Sequence, residues 1–316
     1  MSRLDASCQW VQIRISPSTG QTPDPRFKME MTRRNAIKAF ASTAALAALP
    51  NLKADDTAPV AAAAPSDSFT HSVCRWCYPK MSVTELAINS KRMGIGSVEL
   101  LEPADWAAVK KEGLTCAMAM GVTKITSGLN RTENHTVMVP GMIDRIGAVA
   151  DEGFPNVIVF SGSRGGMPDE QGLENCAVAL KQMMATAEKR RITVCMELLN
   201  SKVNHPDYMC DHTAWGVELV KRVGSDRFKL LYDIYHMQIM EGDVVHTIRD
   251  NHQYIAHYHT GGVPGRHEID ATQELNYPMI CRAIKNTGFR GYLAQEFIPV
   301  HDPMTSLAAA VALCTV

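Results

Sequence analysis

Four apolar stretches in the C-terminal half of the chain each carry, near their end, a residue that can hold a charge or a metal. They read Cys195-Met196-Glu197-Leu198-Leu199-Asn200, Leu231-Tyr232-Asp233-Ile234-Tyr235-His236, Ala256-His257-Tyr258-His259-Thr260-Gly261-Gly262 and Leu293-Ala294-Gln295-Glu296-Phe297. An unpaired carboxylate in apolar surroundings costs several kcal/mol, so three of them brought together need a counter-charge. A divalent cation held by Glu197, Asp233, His259 and Glu296 supplies it most simply. Three carboxylates and one imidazole suit a hard to intermediate ion, Mn²⁺, Mg²⁺ or Co²⁺, with positions left for substrate or water. His257 and His259 stand two apart on one extended run and face the same side, His257 lying deeper as a core or supporting residue. The third run is followed by Gly261-Gly262-Val263-Pro264-Gly265-Arg266-His267-Glu268. Its glycines and Pro-Gly make a tight turn that swings Arg266 back over the same place. There its planar fork suits a substrate oxygen or carboxylate; the alternative is a surface arginine paired with Glu268.

These residues need a scaffold that brings strand ends together. Eight short apolar or β-branched runs, at 72–78, 97–101, 115–121, 156–162, 193–199, 229–235, 255–260 and 291–297, alternate with stretches of helical period. The helical stretches are 83–93, 104–112, 135–152, 172–191, 213–223, 244–251, 278–287 and 303–314. Such alternation predicts parallel strands joined by right-handed crossovers. Eight units in about 250 residues match a (β/α)₈ TIM barrel, whose working groups hang from the carboxyl ends of the strands. A doubly wound sheet would show a Gly-rich phosphate turn after its first strand, and Cys77-Tyr78-Pro79-Lys80 has none. Gly94, Gly113, Gly153, Gly224 and Gly288 fall where helices hand over to strands, and Asp243 and Asp302 are N-cap candidates.

Composition narrows the class. The 316 residues are 46% hydrophobic and 21% charged, which excludes a wholly disordered or fibrous chain. Lysine and arginine total 32 against 33 acids, so bulk charge gives no hold on nucleic acid. Nine irregularly spaced cysteines are no disulfide framework. Residues 1–66 read as an N-terminal extension and 67–316 as the barrel. Within the extension, a polar segment runs to Met31, a second candidate start besides Met1. Arg33-Arg34, the apolar run 39–49 and a small-residue exit then form an export signal resembling the twin-arginine type. That run is too short for a membrane span of about 20 residues, and Ala/Pro-rich 58–65 reads as a linker. The expectation is a mature protein beginning between Ala54 and Asp67, periplasmic or otherwise exported.

Taken together, CMELLN, YDIYHMQ, HTGGVPGRHE and AQEF resemble the xylose-isomerase-like barrel superfamily, most closely its hydroxypyruvate-isomerase-like enzymes, over essentially the whole chain after residue 67. The resemblance implies one divalent ion on Glu197, Asp233, His259 and Glu296, with His236 and Arg266 contacting substrate. It implies an isomerase that removes the proton beside a carbonyl of a small hydroxycarbonyl compound or sugar. The reaction passes through an enediolate, with Glu197 and Glu296 shuttling the proton. Hydroxypyruvate isomerases proper carry glutamine where His259 stands, whereas sugar epimerases of the superfamily carry histidine. A ketose C3-epimerase is therefore the alternative, and a non-catalytic exported sugar-binding barrel a second. The superfamily's abasic-site endonucleases need extra histidines from the second and third strands, which here read SVELL and TCAMAM without one. The partner implied is a small carbohydrate or hydroxyacid, without nucleic acid; an oligomer is left open.

Overall fold

Runs rich in valine, isoleucine and leucine form short strands, and the amphipathic stretches between them pack back as helices. The computed structural model describes residues 68–316; Met31, the Arg33-Arg34 signal and the linker lie outside the described residues. The strands are β1 (Thr70–Cys74), β2 (Ser97–Glu99), β3 (Asn156–Val159), β4 (Thr193–Glu197), β5 (Phe228–Asp233), β6 (Ile255–Thr260) and β7 (Tyr292–Gln295). The helices are α1 (Val83–Arg92), α2 (Trp106–Lys111), α3 (Thr132–Asp151), α4 (Asp169–Arg190), α5 (Thr213–Val223), α6 (Ile234–Met240), α7 (Val244–Asn251), α8 (Tyr277–Asn286) and α9 (Pro303–Cys314). All strand pairs are parallel, in the order β2-β1-β7-β6-β5-β4-β3. The result is the TIM-barrel type of α/β fold.

The expected third strand is only partly formed. Residues 115–119 make single parallel bridges, Ser97 to Thr115, Leu101 to Ala119 and Ala119 to Val157, and so fill the gap between β2 and β3. Their sequence explains this: Cys116-Ala117-Met118-Ala119 lacks the branched side chains that favour a pleated strand. Neighbouring side chains replace ladder bonds instead. The Ala117 N–H donates to Ser97 Oγ at 2.8 Å, and Asn156 Nδ2 donates to the Ala117 carbonyl at 2.8 Å.

A second difference lies after β5, where the expected strand 229–235 stops at Asp233 and α6 begins. Asp233 Oδ1 accepts the His236 backbone N–H at 3.1 Å, an N-cap that turns the chain into a helix. The five hand-over glycines all adopt φ between 71° and 82°, and Asp302 caps α9 through the Thr305 N–H at 2.9 Å. Asp243 does not cap α7: it sits at φ 40°, directly after Gly242 at φ 69°, with no side-chain capping bond. The core mixes aliphatic side chains with buried aromatics such as Tyr232, Tyr258 and Phe228, and each fully buried Leu, Ile or Val contributes about 1.5–3 kcal/mol. At Gly216 of α5 an added Cβ would lie 2.9 Å from Leu230 Cδ2, so glycine lets this helix rest against β5. The eight cysteines from Cys74 to Cys314 are all buried and unbridged. Among the described residues no helix is long and apolar enough to cross a membrane.

Candidate metal centre and substrate cavity

Parallel register brings the four candidate ligands to one rim. Glu197 and Asp233 are the last residues of β4 and β5, His259 is the penultimate residue of β6, and Glu296 follows β7 directly. Asp233 is paired across the sheet with His259, and His259 with Ala294. One ligand atom from each of Glu197, Asp233, His259 and Glu296 lies within 4.8 Å of all the others, and all four residues are buried. His259 Nδ1 stands 2.6 Å from Glu296 Oε2 and 3.5 Å from Glu197 Oε1, yet no hydrogen bond of proper geometry satisfies it. An imidazole nitrogen aimed among three carboxylates in this way is the donor set of a divalent ion. The residues present therefore fit such an ion.

Beneath the ligands sits a residue that the sequence reading passed over. Glu99 Oε1 lies 2.8 Å from both His257 Nε2 and His259 Nε2, and Glu99 Oε2 accepts Ser72 Oγ–H at 2.5 Å. Burial works against the Glu99 charge, but His257 and His259 hold its carboxyl down at about 2. The ionised carboxylate accepts the Nε2 hydrogen of His259 and leaves Nδ1 to face the other acids. The signal for Glu99 was an acid within the apolar run Ser97–Leu101.

Arg266 reaches the site, though not as a surface arginine paired with Glu268. It is 7% exposed; its Nη2 lies 2.7 Å from Asp233 Oδ2 and also bonds Glu296 Oε2. Trp76 Nε1 donates to the other Glu296 oxygen at 2.6 Å. The environments of the acids differ accordingly. Burial raises Glu197 above the ordinary carboxylate range and pushes Asp233 up to about 7 against the pull of Arg266. Burial acts the same way on Glu296, but Arg266 and His259 outweigh it and hold this acid well below its usual range.

His236 sits in the first turn of α6 rather than on a strand. Burial and Arg266 keep it neutral, well below the usual histidine range. The Asn200 backbone N–H donates to its Nδ1 at 3.1 Å, and Arg266 Nη1 stands 2.5 Å from its Nε2. Sequence reasoning did not find Asn200, nor Asn204 and His205 on the following turn. Above these groups opens a cavity of about 640 Å³, lined by Glu197, His236, Arg266 and Glu296 together with Trp76 and several aliphatic side chains. A larger cleft of about 840 Å³ lies under residues 268–278 against α9. Among the described residues, however, the potential ligand groups converge only in the barrel.

The family described as xylose isomerase-like TIM barrel matches residues 102–313. A 2-oxo-tetronate isomerase from Cupriavidus necator is 35% identical over 127 residues, 40% of this chain and 46% of that protein. The hydroxypyruvate isomerase of Escherichia coli K12 is 33% identical over 105 residues, 32% of this chain and 40% of that enzyme. The chain spans about half the length, or less, of the curated relatives it matches. Among solved structures, an AP endonuclease, family 2, from Brucella melitensis superposes with a TM-score of 0.71 at 24% identity. The match covers 77% of this chain and 99% of that one, a likeness of fold.

Proposed function

The chain belongs to the xylose isomerase-like TIM barrel family, and from that premise we propose that it is a divalent-metal-dependent isomerase of a small hydroxycarbonyl compound or sugar. The observation that carries the reading is the convergence of Glu197, Asp233, His259 and Glu296 at one rim, with His259 Nδ1 left unsatisfied among the acids. The named isomerase activities of the partial relatives support the same class.

When bound, a divalent ion supplies Lewis-acid polarisation of a substrate carbonyl. The chain's own residues supply the rest. Glu197 and Glu296 are the carboxylates able to take up and return a proton at the carbon beside that carbonyl. His236 and Arg266 point to where a substrate oxygen sits. The Asn200 N–H lies 3.1 Å from Nδ1 of His236 and Arg266 Nη1 lies 2.5 Å from its Nε2, which holds the imidazole and the guanidinium side by side at the cavity wall. From this wall the guanidinium can donate to a substrate hydroxyl or carbonyl oxygen. C3 epimerisation of a ketose starts with the same proton removal, and the histidine at position 259 supports it as the second reading; identification of the product separates the two.

The test is solvent exchange. Metal-loaded protein incubated with hydroxypyruvate, ketoses or ketose ethers in D₂O should place deuterium at the carbon beside the carbonyl. Glu197→Gln or Glu296→Gln should slow exchange by about 10²–10⁴-fold, with metal content measured alongside to separate lost ligation from lost proton transfer. Absence of exchange on every compound would favour the sugar-binding barrel. Export is proposed on Arg33-Arg34 and the apolar run after them. Replacing both arginines with lysine should leave the protein in the cytoplasm, and unchanged export would remove this part of the reading.

A further inference from the structure

The cavity above the acids has two unlike walls. Glu197, His236, Arg266 and Glu296 line the side built from β4 to β7, with Asn204 and His205 at the rim. Leu100, Met120, Ile125, Ile158 and Phe160 line the side built from β2, the bridging segment and β3. The ionisable group on that second side, Glu102, is turned to Arg145 at 3.1 Å. A free sugar spread over this wall would set its hydroxyls mostly against apolar carbon, with the Glu102 carboxylate the ionisable group within this lining.

Size leads to the same place. Allowing each heavy atom the liquid share of a whole water, about 30 Å³, which is generous for bonded atoms, a seven-atom hydroxy-keto acid takes at most roughly 200 Å³ and a twelve-atom hexose at most roughly 360 Å³. The cavity holds about 640 Å³, so the acid leaves most of it empty and the hexose nearly half. The unfilled part is the aliphatic side. At the mouth, Trp76 and Ile298 remain 44% and 40% exposed, apolar surface continuous with the acid cluster that a ligand would cover.

We propose that the substrate is amphipathic: a hydroxycarbonyl head over the four acids, joined to an apolar group of about benzyl size that packs on Leu100, Met120, Ile125 and Phe160. This deepens the isomerase reading and rests on it. Pockets of this kind discriminate by apolar contact, and small apolar increments change binding by tens to hundreds of fold.

The experiment is a matched pair titrated into Mn²⁺-loaded protein by calorimetry, D-fructose against 6-O-benzyl-D-fructose, which keeps the reacting end unaltered. The benzyl ether should bind at least about tenfold tighter. Met120→Gln and Ile125→Thr, each partly buried and checked for folding by circular dichroism, should bring the two affinities to within about threefold of each other. Equal affinities in the parent protein, or a preference that survives both substitutions, would overturn the proposal. Deuterium exchange on fructose with no gain from the benzyl group defeats this inference alone. No exchange on either compound defeats the reading beneath it.

Discussion

Glu99 decides which nitrogen of His259 is free. Its carboxylate draws the Nε2 hydrogen of His259 while also binding His257 and Ser72, which fixes the ring and presents Nδ1 to the acids. Outer partners of this kind change metal affinity by about 10–100-fold. Glu99→Gln should therefore weaken Mn²⁺ binding, measured by calorimetry, by that order while the thermal unfolding curve stays cooperative. Affinity within twofold of the parent would show that the contact does not tune the ligand. The sequence hid this residue for a physical reason. Glu197 and Glu99 both look like an acid inside an apolar run, but the partners of Glu99 lie 158 and 160 residues away, and no local spacing announces that meeting. Arg266 was visible through the Gly261-Gly262 pair and the Pro264-Gly265 turn before it. Its pairing with Asp233 and Glu296 was not, because it depends on a backbone at φ 59° that folds the side chain inward.

At the scale of elements, Glu268 joins the loop after β6 to the start of α9. Its Oε1 accepts the N–H groups of Val300 and His301 at 2.9 and 3.0 Å and Ser306 Oγ–H at 2.9 Å. Burial opposes the charge, but these donors outweigh it and hold the carboxyl below its ordinary range. A depressed acid stabilises the fold fully above its unfolded value, about 4.3, and loses that contribution as pH falls through the lower folded value. Glu268→Gln should cost about 1 kcal/mol at neutral pH, from weaker charge-assisted bonds, or roughly 3 °C in Tm for a domain of this size. The gap to the parent should close as the pH falls below about 4; a gap constant down to pH 3 would count against the assignment. Periodicity predicted α5, α7 and α9 with the bounds the structure gives, and β6 likewise. It failed at 115–119, where side chains of Ser97 and Asn156 replace a ladder, and at α6. There Ile234-Tyr235-His236-Met237 reads as a continuing strand until the Asp233 side chain turns back to cap it. The four candidate ligands were legible because strand ends in a parallel barrel share one rim.

For the molecule as a whole, the unbridged cysteines make opening events chemically readable. Burial raises the thiols of Cys74, Cys116, Cys176 and Cys195 far from their reactive form, and only the thiolate attacks an alkylating reagent. Each sulfur becomes a timer for the segment that hides it. Cys314 ends α9 and is released when the last helix frays, an opening that leaves the barrel standing. Cys195 lies inside β4 and is released only when the sheet parts. Mass spectrometry of native protein held in N-ethylmaleimide should therefore find Cys314 labelled first and Cys195 among the last; equal rates at both would mean that the molecule opens all at once. For the exported chain proposed above, the same arrangement has a consequence in transit. A barrel that arrives folded carries its sulfur sealed from oxidants, so its lifetime in an oxidising compartment is set by how often the wall opens rather than by how many thiols it holds.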